Sequence, residues 1–76
     1  MQELVEYLAK GLVDKPDEVR IERVERDGAV VLELHVAPDD VGKVIGRQGR
    51  TARALRTLVR ASGARSNERA LLEIVG

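Results

Sequence analysis

The residues best suited to chemistry lie in one run, Val41-Gly42-Lys43-Val44-Ile45-Gly46-Arg47-Gln48-Gly49-Arg50. Gly46 and Gly49 stand three apart and enclose Arg47 and Gln48, so a donor-bearing tip is bracketed by two residues free to take positive φ. Glycine also lacks the Cβ that would hold a phosphate or a flat ring away from the backbone. The chemistry on offer is the gripping of an anion, with Lys43, Arg50 and Arg53 as neighbouring cations. Other chemistries find little material. There is no cysteine and one histidine, which leaves no disulfide, thiolate site, Cys nucleophile or His cluster for zinc. Asp39 and Asp40 are paired carboxylates, but no third ligand or partner His stands near them, and they read as acids favouring a helix N-terminus. His35 reads as a solvated strand residue. No GxxxxGKS/T run and no nucleophile–base pair is present, so neither an enzyme nor a cofactor is expected.

Charge sharpens this reading. Thirteen basic and thirteen acidic residues cancel over the 76 residues. Residues 1–40 nevertheless carry five Lys/Arg against eleven Asp/Glu, a balance of −6, and residues 41–76 carry eight against two, a balance of +6. Such asymmetry points to one face that meets polyanions. No apolar run reaches the roughly 20 residues that span a bilayer. Met1-Gln2-Glu3 opens an acidic amphipathic segment with no secretory character, which points to the cytoplasm.

The elements that must position the glycine run follow from periodicity. Residues 2–13 place Leu4, Val5, Leu8, Leu12 and Val13 at helical spacing, with Tyr7, the sole aromatic residue, expected at the core edge. Residues 19–26 and 29–36 alternate as strands around Asp27-Gly28, a two-residue hairpin signal. Val30, Leu32, Leu34 and Val36 are expected on the core face, and Val31, Glu33 and His35 on the other. A short helix is expected from Pro38 to Ile45 and a second from Gly49 to Ser62, with Ala52, Leu55, Leu58 and Val59 inward and Arg50, Arg53, Arg56 and Arg60 in a stripe beside them. Residues 62–68 read as a polar loop and 69–75 as the last strand. The order α-β-β-α-α-β predicts an α+β domain, a three-stranded sheet covered by helices on one face, with a right-handed parallel crossover to the last strand. Val31, Leu71 and Val75 on the uncovered face would form a modest sticky patch.

With 7 glycines in 76 residues, a GxxG spacing arises by chance in roughly every second such chain, so the spacing alone is weak. Its frame is stronger. Val44-Ile45-Gly46-Arg47-Gln48-Gly49 between two helices, within a strand–helix–helix–strand order, resembles the KH domain signature, and the helix and strand added at the N-terminus resemble the type II arrangement. The run 36–50 and the length resemble the small bacterial single-KH RNA-binding protein family (KhpA), over essentially all of residues 1–76 as a single KH domain.

That resemblance implies a GxxG clamp on about four single-stranded RNA nucleotides whose bases lie in an apolar groove. Carried over, Gly46 and Gly49 approach the phosphates, Arg47 and Gln48 donate to them, and Val44 and Ile45 contribute the groove floor. Lys43, Arg50 and Arg53 form an electropositive rim that positions the strand without reading it. The 62–68 loop forms the opposite wall, with Arg65 as a phosphate contact. Ala52 departs from the bulky aliphatic residue common at its position and points to a shallower groove, with Leu55 in partial compensation. The resemblance further implies a homodimer, or a partnership with a larger KH-containing RNA-binding protein, and a post-transcriptional or RNA-chaperone role linked to cell shape and division. Two other readings compete: a helix-turn-helix DNA binder with residues 50–61 as recognition helix, and an interaction module using Ala54, Thr57 and Ala61 or the open sheet face.

Overall fold

The computed structural model describes all residues from Met1 to Gly76. Helix α1 (Gln2–Leu12) leads into strands β1 (Arg20–Arg26) and β2 (Ala29–His35), helices α2 (Val41–Ile45) and α3 (Arg50–Arg65), and strand β3 (Ala70–Val75). Single 3₁₀ turns precede β1, α2 and α3. Asp27 and Gly28 take φ of 53° and 78°, the backbone that a primed two-residue turn requires, and they set the β1–β2 register from Arg26↔Ala29 to Arg20↔His35. Strand β3 runs parallel to β2, from Val30↔Ala70 to His35↔Val75, which leaves β2 central and β3 an unpaired edge. Helices α1, α2 and α3 lie on one face of this sheet, as the sequence predicts.

The core is wholly aliphatic. Val30, Leu32 and Leu34 of β2 meet Val5 and Ala9 of α1, Val44 of α2, Leu55 and Val59 of α3 and Leu72 of β3. The inward face of α1 is narrower than its leucine spacing suggests. Val5 and Ala9 are buried, while Leu4, Leu8 and Leu12 remain substantially exposed. Two small side chains let the helix approach the sheet closely, and the larger ones are left at its flanks. Tyr7, expected at the core edge, is 74% exposed.

The open face of the sheet also differs from expectation. Val31 is only 3% exposed, because it lies between Val24 of β1 and Leu71 of β3 in register. Beside this row Glu22, Glu33 and Glu73 align across the three strands. Arg26 bridges Glu33 and Glu73, at 3.3 Å each, and Arg20 pairs with Glu22. His35 is half-buried, 3.4 Å from Glu33. The expected sticky patch thus shrinks to Leu71 and Val75, hemmed in by ion pairs.

Helix α3 continues three residues past Ser62. Gly63 faces β3 so closely that a Cβ there would come within 2.6 Å of Ala70 Cβ and 2.8 Å of the Glu68 carbonyl. The glycine that reads as a loop residue is therefore a packing residue inside the helix. Asn67, at φ 57°, turns the chain instead, and the Glu68 amide donates back to Gly63 O at 2.7 Å.

Asp40 also departs from its reading as a cap. It occupies the position before α2 but makes no side-chain capping bond. Its carboxylate is 1% exposed and accepts hydrogen bonds from the backbone amides of Asp14 at 3.2 Å and Lys15 at 3.0 Å. It thereby ties the segment after α1 to the start of the glycine run. Charge-assisted bonds of this kind contribute about 1.5–3 kcal/mol, more when their removal leaves buried donors unpaired. Asp40→Ala is expected to lose about 2–3 kcal/mol in urea denaturation, with an unchanged denaturant slope.

Candidate nucleic-acid interface

Between α2 and α3 the chain reverses within four residues, three of which have positive φ: Gly46 at 77°, Gln48 at 58° and Gly49 at 74°. The two glycines serve different needs. Gly46 combines φ 77° with ψ 172°, a region essentially closed to other residues, and a Cβ there would collide with Thr51, 2.7 Å from its Cβ. Gly49 is left-handed, but a Cβ on it would meet nothing within 4 Å. The first glycine is required by the turn itself, while the second keeps an outward-facing surface bare.

Gln48 holds a left-handed backbone without being glycine, so its neighbours must stabilise it. Arg50 Nη2 donates to Gln48 Oε1 at 3.0 Å, and Arg53 Nη2 donates to Gln48 O at 3.4 Å. The amides of Gly46 and Gly49 bond to Gly42 O and Gly46 O, whereas no bond of the turns and loops uses those of Arg47 or Gln48. Left-handed Gly49 is followed by right-handed Arg50, whose amide bonds back to Arg47 O and closes the turn onto α3. Helix α3 then begins with no side-chain cap and no acid in its first turn. Arg50 and Arg53 sit instead at the positive end of the helix dipole, where cations are unfavourable unless an anion joins them.

The ion pairs show where the charge asymmetry ends up. Arg20, Arg23 and Arg26 all pair with carboxylates, and the acids they take include Glu68 and Glu73, the only two in the basic half. The seven arginines from Arg47 to Arg69 have no carboxylate within 4 Å. The positive charge of the second half is thus not neutralised by folding.

The structure brings Ile45, Gly46, Arg47, Gln48, Gly49, Arg50 and Arg53 together at one surface. Val44 and Lys43 are placed differently. Val44 is fully buried in the core and supports the loop from beneath, so it cannot form a groove floor; Ile45 is half-buried and can. Lys43 turns away, its ammonium 3.1 Å from Asp14 and 3.9 Å from Asp40. Its hydrogen bond to Asp14, together with that charge, raises its pKa above the ordinary lysine value. Ala52 is buried against the core, not presented to the groove. Arg65 also falls outside the site. It ends α3, about 24 Å from Gly49 at 1.5 Å per residue, beside Met1 and, on α1, Leu4. Arg56, Arg60 and Arg69 instead line the space between α3 and the β3 edge. Their helical stripe was legible in the sequence; their meeting with Arg69 was not.

A strand–helix–GxxG–helix–strand unit preceded by a helix and a strand, with its last strand parallel to the first of the unit, defines a KH domain of type II. Comparison with known proteins agrees. The family model for the KH domain of KhpA and KhpB matches residues 2–74. An RNA-binding protein KhpA of Clostridium acetobutylicum is 49% identical over 75 residues, covering 99% of this chain and 100% of the relative. Those of Borreliella burgdorferi and Aquifex aeolicus are 52% and 49% identical, covering 96% and 99% of this chain and 89% and 95% of the relatives. The chain belongs to the KhpA/KhpB KH-domain family. The fold also disposes of a helix-turn-helix arrangement, since α2 has five residues and α3 packs on a strand.

The unequal glycines yield a stability test. Gly46→Ala is expected to cost about 3 kcal/mol, from a closed backbone region plus the collision with Thr51. Gly49→Ala should cost about 1 kcal/mol, from left-handed strain alone. Urea denaturation of the two variants checks the difference.

Proposed function

We propose that the chain binds single-stranded RNA without catalysing a reaction, the loop from Gly46 to Gly49 gripping the backbone of about four nucleotides. The observation that carries this reading is the concentration of uncompensated arginines around a turn bracketed by Gly46 and Gly49. Phosphates meet the amides of Arg47 and Gln48, the side chains of the same residues, and the start of α3. Arg50 and Arg53 both supply charge and hold Gln48 in its left-handed conformation. Bases lie on Ile45 and along the β3 edge, where Ile74 is half-buried and the outer backbone groups have no strand partner. With no aromatic side chain at the loop and Ala52 turned inward, base discrimination is modest. Lys43, already engaged by Asp14, contributes less than any arginine of the rim.

The relatives are RNA-binding proteins, which supports RNA as the ligand, and the resemblance supports a cytoplasmic role in post-transcriptional control or RNA chaperoning linked to cell shape and division. Cell length in a deletion strain tests that cellular role. The exposed apolar side chains of α1, among them Leu4, Tyr7 and Leu8, support association with a second copy or a larger KH-containing protein. Tyr7→Glu, at the most exposed of these positions, is expected to shift sedimentation toward the monomer.

The clamp itself is tested by Arg47→Asp combined with Gln48→Asp. Both side chains are exposed, and Asp suits the left-handed position 48, so circular dichroism should not change. Binding to a short single-stranded RNA should disappear. Retained affinity, or displacement of the RNA by duplex DNA at equal concentration, would refute the reading.

A further inference from the structure

On the sheet face away from the helices, one imidazole and two carboxylates converge. Glu22 of β1 and Glu33 of β2 are direct cross-strand partners, and His35 lies two residues beyond Glu33 on the same face of β2. His35 Nε2 stands 3.4 Å from Glu33 Oε1 and 3.9 Å from Glu22 Oε2, and the three ligand atoms all lie within 4.8 Å of one another. The side chains of His35 and Glu33 are 20% and 21% exposed and that of Glu22 is 48% exposed, so the group is partly covered yet open to an entering ion.

Two arginines aim these atoms. Arg20 pairs with Glu22 Oε1 and Arg26 with Glu33 Oε2, so each carboxylate engages a guanidinium with one oxygen and turns the other toward the imidazole. Glu73, the third carboxylate of the row, stands outside the group, because both its oxygens face Arg26. Hydrogen bonding serves the centre of the group poorly. The His35–Glu33 contact of 3.4 Å is longer than the usual N–H···O range of about 2.7–3.2 Å, and a single Nε2 proton can serve only one of the two carboxylates. Like charges directly opposite on a sheet also repel, which a cation between them relieves.

The spacing suits a tetrahedral ion. With bonds of about 2.0–2.1 Å to imidazole nitrogen and carboxylate oxygen, two ligands of a tetrahedral zinc lie about 3.3 Å apart. The His35–Glu33 separation already matches this, and a small rotation of the exposed Glu22 side chain brings the His35–Glu22 separation to it. One imidazole nitrogen among the donors selects a zinc-class ion over calcium or magnesium, which take oxygen ligands.

We propose that Glu22, Glu33 and His35 form a binding site for a divalent transition-metal ion of the zinc class, with water as the fourth ligand. The site is separate from the glycine loop and does not depend on the RNA reading. Its ligands come from both strands of the hairpin, at the end away from the Asp27-Gly28 turn, so a bound ion ties the edge strand β1 to β2 where no turn joins them. Zinc then stabilises the native chain, because the unfolded chain does not hold the three ligands together.

The test titrates zinc chloride into the full chain, without a histidine tag and in phosphate-free buffer lacking RNA, by calorimetry and by NMR. The chain has one histidine, so its imidazole signals report on His35 alone. One zinc per chain is expected, with the His35 ring signals moving until one equivalent is reached. The thermal midpoint should rise by about 5 °C or more at ten times the dissociation constant. Calcium at the same concentration should produce neither effect. His35→Gln and, separately, Glu22→Gln should each weaken zinc binding at least about tenfold. The exposed Glu22 position keeps the second variant folded, which circular dichroism checks. Wild-type protein that binds no zinc, calcium bound as tightly as zinc, or zinc affinity unchanged in either folded variant overturns the proposal.

Discussion

Everything at the functional surface depends on how tightly α2 can be turned into α3. The turn is made where Gly46 passes Thr51, with a backbone conformation that only glycine adopts readily and a separation that leaves no room for a Cβ. Beyond Gly46, Gln48 and Gly49 also take positive φ, and α3 starts directly after them. The direction of α3 then decides where Gly63 meets Ala70, and hence where the β3 edge lies. Asp40 secures the other side of the turn by binding the backbone of the segment that follows α1. The loop is thus a rigid junction between two packed helices, the condition for holding a flexible ligand without first ordering itself.

The second organising constraint is electrostatic. A small chain of zero net charge could have paired all its charges, and an evenly paired surface would attract no polyanion. Here Arg20, Arg23 and Arg26 take Glu22, Glu33, Glu68 and Glu73, while Glu6, Asp39 and Asp14 take up Lys10, Lys15 and Lys43. The arginines from Arg47 to Arg69 are left over. They occupy the loop, the exposed side of α3 and the start of β3, so the free charge forms a track. Ion pairs at such exposed positions contribute little to stability. Their effect is to decide which cations remain available.

Several local rules are broken where the ligand is proposed to sit. The start of α3 lacks a cap and carries cations, and Gln48 is left-handed. The hairpin turn, by contrast, uses the residues its geometry calls for.

Much of this was legible in the sequence alone. Alternation on either side of Asp27-Gly28 determines two antiparallel strands, because side chains alternate faces and only a few residue pairs accept a primed turn. The α-β-β-α-α-β order determines the layered frame, and the resemblance of the glycine run to the KH signature points to the family that the comparison shows. Side-chain destinations were decided by packing. Val44 lies one residue from Ile45 and just as apolar, yet the sheet buries the first and leaves the second half open. Lys43 and Arg50 are equivalent cations in sequence, but Asp14, 29 residues before Lys43, binds only the lysine. Gly63 reads as a helix stop until β3 is laid against it, and Arg69 reads as an ordinary strand-start cation until α3 brings Arg56 and Arg60 to it. Periodicity reports which face of an element is apolar. Only the approach of distant segments decides how much of that face is covered and which charges find partners.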